Sequence, residues 1–257
     1  METMKQIMYG VTDFARIRAE NGYFVDRTAL IRELEKTSYA MFLRPRRFGK
    51  SLLCSILQCY YDIDYAGRFE EFFGGLDIGR EPTAERGKYL FIDFNFTGVE
   101  KRIDRVQDSF NEYCSERLDV FVERQAGRLP EGTTAAVLAK RTCHEKFNTL
   151  TMRLKGSGLA LYITIDEYDN FTNTILAESR ESYEALCHGD GFFKQFFNEL
   201  KLATTGTDAP VTRLFVTGVT PVTMDDVTSG FNIAANISLN PAFAELTGFT
   251  HGDVRAM

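Results

Sequence analysis

The feature that most constrains this chain is a basic, glycine-containing loop between a predicted strand and a predicted helix. The loop has the sequence RPRRFGKS over residues 44–51. The apolar run 39–43 before it predicts a strand, and apolar residues at helical spacing over 49–61 predict a helix. The first N–H groups of a helix have no partner within it, and together with the helix dipole they attract phosphate. This context predicts a phosphate-binding loop.

Three residues at the end of the loop suit a phosphate ligand. Gly49 lets the backbone approach the ligand, Lys50 can reach the β- and γ-phosphates as a catalytic group, and the Ser51 hydroxyl can ligate Mg²⁺. The candidate nucleotide-binding residues are Pro45, Arg46, Arg47, Phe48, Gly49, Lys50, Ser51 and Leu52.

The loop departs from the usual G-x-x-x-x-G-K-[ST] pattern at its first position. Arg44 replaces the first glycine, and Arg adopts positive φ less readily than Gly. Pro45 also removes one N–H. A simple strand-to-helix turn with basic surface residues therefore stays open as an alternative. Arg46 and Arg47 could neutralise phosphate, pair with an acid when no ligand is bound, or form a solvated turn.

A second motif follows a predicted central strand. The apolar run 159–165, typical of a buried parallel strand, ends in Asp166 and Glu167. In a phosphate-loop ATPase the first acid holds Mg²⁺ and the second activates the attacking water as general base. We expect these roles for Asp166 and Glu167. The alternative is a pair of exposed acids at a strand end.

Polar residues beyond these two motifs have weaker predicted roles. A fourth predicted strand, 212–217, ends in Thr217, which we expect to sense the γ-phosphate from between the acids and the loop. The alternative for Thr217 is a β-branched strand residue and nothing more. Asp169 and Asn170 follow the acid pair, and we expect them to cap the next helix.

The other segments alternate between β-rich and amphipathic helical patterns, which indicates an α/β protein. We expect one domain over 1–257, with 1–36 as a helical N-terminal extension. The further predicted elements are two short helices within 12–36 around the turn at Asn21-Gly22, an edge or half-covered strand at 89–96, helices at 104–125 and 191–203, a loop at 127–133, and a mixed segment over 221–257.

Composition excludes several classes of protein. Thirty basic and 36 acidic side chains give a net charge of −6, which disfavours coating nucleic acid by bulk charge but leaves a local basic patch open. The five cysteines form no C-x-x-C pair, so we expect neither a zinc ribbon nor a disulfide scaffold. The three histidines are scattered, so we expect no metal site beyond Mg²⁺. With no signal peptide or membrane-length apolar run, we expect a cytoplasmic protein without membrane partners.

The end of the chain carries a helix-start pattern. Thr250 and Asp253 have the spacing of a helix N-terminus, and the chain ends four residues after Asp253. This position predicts that the chain is the N-terminal part of a longer protein. A natural, frayed C-terminus is the alternative.

Five motifs along the chain occur together. They are YFVDRT at 23–28, MFLRPRRFGKS at 41–51, IDEYDN at 165–170, FVTGVTPV at 215–222 and SGFNI at 229–233. This set resembles the predicted AAA-type ATPase domain of gut and anaerobic bacteria. The resemblance implies a P-loop NTPase fold: α/β, with a mostly parallel sheet in the order 5-1-4-3-2 and helices on both faces. It also implies ATP and Mg²⁺ as ligands, an Arg at the first loop position as a family trait, and a C-terminal domain resembling PD-(D/E)XK nucleases in longer members.

Three functions follow from these observations. The first is a Mg²⁺-dependent ATPase that acts as a switch or motor for an attached domain. The second is a nucleotide-binding scaffold without hydrolysis, suggested by Arg44. The third is a regulatory domain of a nucleic-acid-processing or defence protein. The sequence leaves open ATP against GTP and the oligomeric state.

Overall fold

The structure, a computed structural model, describes residues 5–221 and 233–256 and is built around a parallel sheet. Five strands lie in the order β2-β3-β4-β1-β5, and every pairing between them is parallel. From the opposite edge the order is 5-1-4-3-2, so the predicted fold class and strand order are confirmed. The strands are β1 (Tyr39–Leu43), β2 (Leu90–Asn95), β3 (Leu161–Asp166), β4 (Val211–Gly218) and β5 (Ala235–Asn236).

Helices connect the strands and cover the sheet. Short 3-10 helices occur at Thr28–Leu30, Ile63–Arg68, Phe96–Gly98 and Pro241–Phe243. The α-helices of the described residues are α1 (Phe14–Ala19), α2 (Ile31–Leu34), α3 (Lys50–Tyr61), α4 (Phe69–Phe73), α5 (Asp77–Arg80), α6 (Val106–Arg124), α7 (Thr133–Leu138), α8 (Cys143–Leu154), α9 (Asn170–Glu178), α10 (Arg180–Cys187), α11 (Phe192–Ala203) and α12 (His251–Ala256). None of these described helices combines the length and the apolar character needed to cross a bilayer.

The two faces of the sheet bury two separate hydrophobic cores. Because side chains alternate along a strand, Ile163 points into the core formed with α6, α8 and α11, whereas the neighbouring Tyr162 packs into the core formed with α3 and α4. The predicted presence of helices on both faces is therefore confirmed. β3 is buried along its whole length, as its continuous apolar sequence predicts.

Strong periodicity located the main elements well. β1 has the predicted bounds, and β2 pairs only with β3 at the sheet edge, as expected. α3, α6 and α11 match their predictions within two residues at each end. α9 is the helix expected after Asp169 and Asn170, whereas α4, α5, α7, α8 and α10, most of which are short, were not expected. Two motif pieces, Val222 and residues 229–232, lie outside the described residues.

Candidate nucleotide-binding site

The phosphate loop leaves the carboxyl end of β1 and enters α3 at Lys50. Its two left-handed backbone positions are Arg47, with φ of 67°, and Gly49, with φ of 84°. Gly49 is the N-cap residue of α3, where a glycine accepts this conformation without strain. Arg44 is not in the left-handed region, so the concern that an arginine there would strain the loop does not apply.

Arg44 anchors the start of the loop to a distant segment. Its guanidinium group lies 4.3 Å from the centre of the Phe42 ring and donates hydrogen bonds to the carbonyl oxygens of Leu43, Ser238 and Phe243, at 2.9, 2.7 and 3.2 Å. Ser238 Oγ also accepts a hydrogen bond from the Leu43 N–H at 2.8 Å. Partial burial lowers the pKa of Arg44 from its ordinary value. Arg44 therefore acts on the protein backbone in this structure.

The candidate magnesium ligands are in direct contact. Ser51 Oγ donates a hydrogen bond to Asp166 Oδ2 at 2.5 Å, although the two residues are 115 positions apart. The Glu167 N–H donates to Asp166 Oδ1 at 3.0 Å. Asp166 is only 1% exposed, and this burial raises its pKa to about 6. The structure thus brings the phosphate loop and the acidic strand end together.

Asn95 is a site residue that the sequence analysis missed. It is the last residue of β2, and its Nδ2 donates to Asp166 Oδ2 at 3.1 Å, so this oxygen accepts two hydrogen bonds. Its position near the end of the strand predicted at 89–96 is the sequence feature that could have placed it at the site. Carboxyl ends of neighbouring parallel strands meet at one edge of the sheet, where α/β proteins bind their ligands.

Lys50 and Glu167 form an ion pair over the loop. Lys50 Nζ lies 3.2 Å from Glu167 Oε1 and donates to the Pro45 carbonyl oxygen at 3.3 Å. The side chains are 3% and 18% exposed. A buried ammonium group needs such partners, because its desolvation is costly when it is unpaired. Glu167 has a φ of 52°, an uncommon conformation for a residue other than glycine, and such outliers concentrate at functional sites.

In the part of the chain that the structure describes, the two loop arginines have no acidic partner. Arg46 and Arg47 are exposed, and within the described residues neither forms an ion pair. The acids that they could have neutralised contact Lys50, Ser51 and Asn95 instead. The alternative in which Arg46 or Arg47 pairs with Asp166 or Glu167 is therefore not observed in this structure.

Thr217 is buried at the end of β4, beside the acidic motif. Its hydroxyl donates a hydrogen bond to the Phe42 carbonyl oxygen at 2.6 Å, and its own carbonyl oxygen accepts one from the Tyr168 N–H at 3.2 Å. The hydroxyl thus links β4 to β1, and among the hydrogen bonds of the described residues it has none to Asp166 or Glu167. The phosphate-sensing role of Thr217 stays a prediction.

Asp169 does not cap the next helix with its side chain, contrary to expectation. It occupies the N-cap position of α9, but its carboxylate accepts hydrogen bonds from the N–H groups of Val219 and Thr220, at 3.1 and 2.7 Å. Gly218 permits this approach, because a Cβ there would lie 2.5 Å from Asp169 Oδ1. The acidic loop and the end of β4 are therefore held together.

A cavity of about 390 Å³ opens directly beside the phosphate loop. Its walls come from three separate parts of the chain: residues 23–31, the loop and α3 from Arg47 to Ile56, and residues 246–249. Phe48 and Leu52 line it among mostly apolar neighbours. Its volume and apolar walls suit a small organic ligand.

Comparisons with known proteins agree with this arrangement. A family model described as "Predicted AAA-ATPase" matches residues 8–228. The chain is 26% identical over 262 residues to an "Uncharacterized protein in vnfD 5'region" of Azotobacter chroococcum mcd 1. That match covers 98% of this chain and 45% of the relative, so the chain spans about half the length of the curated protein that it matches. No solved structure matches.

Proposed function

Because this chain belongs to the AAA-ATPase-like family, we propose that it binds ATP with Mg²⁺ at the loop of residues 44–52 and hydrolyses it. One observation carries the proposal: the 2.5 Å contact between Ser51 Oγ and the buried Asp166 carboxylate, at the N-terminus of the helix that Lys50 begins. Helix N–H groups, an ammonium group and two oxygen ligands then converge where a triphosphate and its metal would lie.

The donor set at Ser51 and Asp166 fits magnesium. Both atoms are oxygens, and hard divalent cations such as Mg²⁺ prefer oxygen ligands. Asn95 donates to the same Asp166 oxygen as Ser51 does, which helps to fix the orientation of that carboxylate. When bound, the ion would neutralise charge on the β- and γ-phosphate oxygens.

The Lys50–Glu167 pair supports a change of partners on nucleotide binding. Phosphate oxygens would replace Glu167 as the partners of Lys50, and this exchange would release the Glu167 carboxylate. The free carboxylate can then accept a proton from a water molecule as that water attacks the γ-phosphorus. The bond from the γ-phosphorus to the bridging oxygen breaks, and ADP leaves with that electron pair.

The cavity of about 390 Å³ beside the loop supports a nucleoside site. Phe24, Phe48 and Phe249 line it, and their rings can stack against a base. The chain contains no Trp, so these aromatic residues are the natural stacking partners. Under this proposal the triphosphate extends from the cavity along the N-terminus of α3.

The Azotobacter relative is longer than this chain, which covers 45% of it. We propose that in longer proteins of this kind hydrolysis acts as a switch or motor for an attached domain. A nuclease-like C-terminal domain is the partner that the family resemblance implies. Turnover stimulated by DNA in the longer protein would support a role in nucleic-acid processing, and turnover indifferent to DNA would count against it.

The first test is nucleotide binding measured by thermal unfolding. Mg-ATP at a hundredfold excess over its Kd should stabilise the wild-type protein by about 2.7 kcal/mol through mass action. Lys50→Ala should abolish this shift, and Lys50→Met, which keeps most of the side-chain volume, should do the same. Lys36→Ala is the matched control, because this exposed lysine lies outside the site. An equal shift in all four proteins would contradict the phosphate-loop assignment.

The second test separates hydrolysis from binding. Glu167→Gln should keep the Mg-ATP shift and lose turnover, whereas Glu131→Gln, at an exposed acid outside the site, should keep both. If Glu167→Gln loses binding and turnover equally, Glu167 is not the general base. Wild-type protein that binds Mg-ATP but turns over no faster than Lys50→Ala would support the non-hydrolysing scaffold instead.

A further inference from the structure

A second cavity lies on the opposite face of the sheet from α3. It has a volume of about 330 Å³ and opens between α6, the start of α8, and α11. None of its lining residues belongs to the cavity beside the phosphate loop. Phe110, Phe147 and Phe196 line it and belong to the core on this face, whereas Leu53 and Ile56, which line the other cavity, belong to the core around α3.

Four phenyl rings form the apolar part of this cavity: Phe110, Phe147, Phe192 and Phe196. Phe110 lies 5.1 Å from Phe192 and 5.3 Å from Phe196, measured between ring centres. The faces of such rings carry partial negative charge, so they attract cations as well as apolar groups. Phe192 and Phe196 of α11 therefore line a cavity as well as pack in or against the core.

The charged residues of the cavity have one sign. Glu199 lines it with a side chain only 15% exposed, and Asp108 lies at its exposed rim. His144 Nε2 is 3.4 Å from Glu199 Oε1. Among the described residues that line the cavity there is no Lys or Arg. A half-buried carboxylate without a strong cationic partner is complementary to a positive charge brought by a ligand.

We propose that this cavity binds a small organic ammonium compound with an aromatic or alkyl body. The ammonium group would pair with Glu199 and Asp108 at the rim, and the body would lie against the four phenyl rings. The volume admits a compound of this size but not a folded partner. Organic anions of the same shape would meet two carboxylates and be rejected.

Tryptamine is a suitable probe, because the protein has no Trp and indole emission then reports only the ligand. Fluorescence anisotropy should show saturable binding at least tenfold tighter than that of indole-3-propionate, which has the same ring and the opposite charge. Binding should persist with saturating Mg-ADP, which occupies the other site under the proposed function. Loss of binding with Mg-ADP would assign tryptamine to the nucleotide cavity and overturn the proposal.

Two variants test the acidic rim. Glu199→Gln should weaken tryptamine binding about tenfold, and Asp108→Asn should weaken it less, because Asp108 is the more exposed acid. Glu181→Gln, an exposed acid on α10 that does not line the cavity, should leave binding unchanged. Unchanged binding in both rim variants, or equal affinity for the two indole compounds, would overturn the proposal. If Glu199→Gln does not fold, Asp108→Asn and the pair of probes still decide the outcome.

Discussion

The ionised form of the buried Asp166 side chain lowers the stability of the folded protein. Burial raises its pKa to about 6 from an ordinary value of 3.8, so the folded protein holds this proton more tightly than the unfolded chain does. The contribution of Asp166 to stability is therefore complete below about pH 4 and is lost as the pH rises through about 6. The rise in the pKa from 3.8 to about 6 corresponds to about 3 kcal/mol in the free energy of unfolding.

Asp166→Asn should remove this dependence. We expect the variant to be more stable than the wild type above about pH 7, by at most about 2–3 kcal/mol, with the difference closing below about pH 4. Denaturant unfolding of both proteins across this range measures it. The pKa of Asp62 is also raised to about 6 by burial, but Asp62 is present in both proteins and cancels. A variant less stable than the wild type at every pH would contradict the expectation.

Thr217 allows a test that separates sensing from packing. Thr217→Ser keeps the hydroxyl that donates to the Phe42 carbonyl oxygen, whereas Thr217→Val removes it and should cost about 1 kcal/mol of stability. If Thr217 also senses the γ-phosphate, Thr217→Val should lower kcat at least tenfold while the Mg-ATP thermal shift remains. If the serine and valine variants are folded and have equal kcat, Thr217 does not sense the γ-phosphate and acts only as a strand residue.

At the scale of elements, β1 and its loop depend on the segment after β4. The Arg44 guanidinium donates to the carbonyl oxygens of Ser238 and Phe243, so the start of the phosphate loop is bound to the turn after β5 and to the 3-10 helix that follows this turn. A second link joins Arg27, which lines the cavity beside the phosphate loop, to Asp253 in α12 at 2.5 Å. Residues 235–253 are therefore placed to respond to a ligand at the loop.

Arg44→Gly should weaken these links, even though it restores the usual glycine of the motif. We expect faster amide hydrogen exchange over 235–243 and Mg-ATP affinity lowered about tenfold, with Arg44→Lys intermediate, because Lys lacks the planar set of donors. Arg153→Ala, at an exposed arginine of α8, is the control. If Arg44→Gly has the amide exchange and the Mg-ATP affinity of the wild type, the hydrogen bonds of Arg44 do not contribute to nucleotide binding.

At the scale of the whole molecule, an aromatic cluster joins several elements of the face opposite α3. Phe110 of α6 lies at its centre, with ring centres at 5.2 Å from Phe96, 5.9 Å from Phe171 and 5.8 Å from Phe193. These rings come from the 3-10 helix after β2, from α9 and from α11. One buried side chain thus holds together segments that are far apart in sequence.

Phe110→Ala should therefore destabilise the whole protein. We expect a loss of about 3–5 kcal/mol in the free energy of unfolding, since a buried phenyl ring is replaced by a cavity. Phe249→Ala removes the same phenyl group from a residue that is 65% exposed, and it should lower the free energy of unfolding by less than about 1 kcal/mol. Denaturant unfolding compares the two, and similar losses would mean that Phe110 is not central to the core.

The sequence by itself determined the strands and helices with strong periodicity, and the order in which the chemistry-bearing motifs follow them. β1, α3 and β3 could be located because apolar spacing and the helix-start signal are local properties of the chain. The P-loop fold class and the strand order followed from the resemblance carried by those motifs. The shorter helices, such as α4 and α7, lack a repeat long enough to predict.

Only the tertiary structure decided which distant groups meet. Asn95 contacts Asp166 because β2 and β3 pair in register, and Arg44 reaches Ser238 because β5 lies beside β1. Asp169, predicted to cap its own helix, bonds instead to backbone groups 50 residues away. Such contacts depend on how strands pair and pack, and local spacing carries no record of which segments become neighbours.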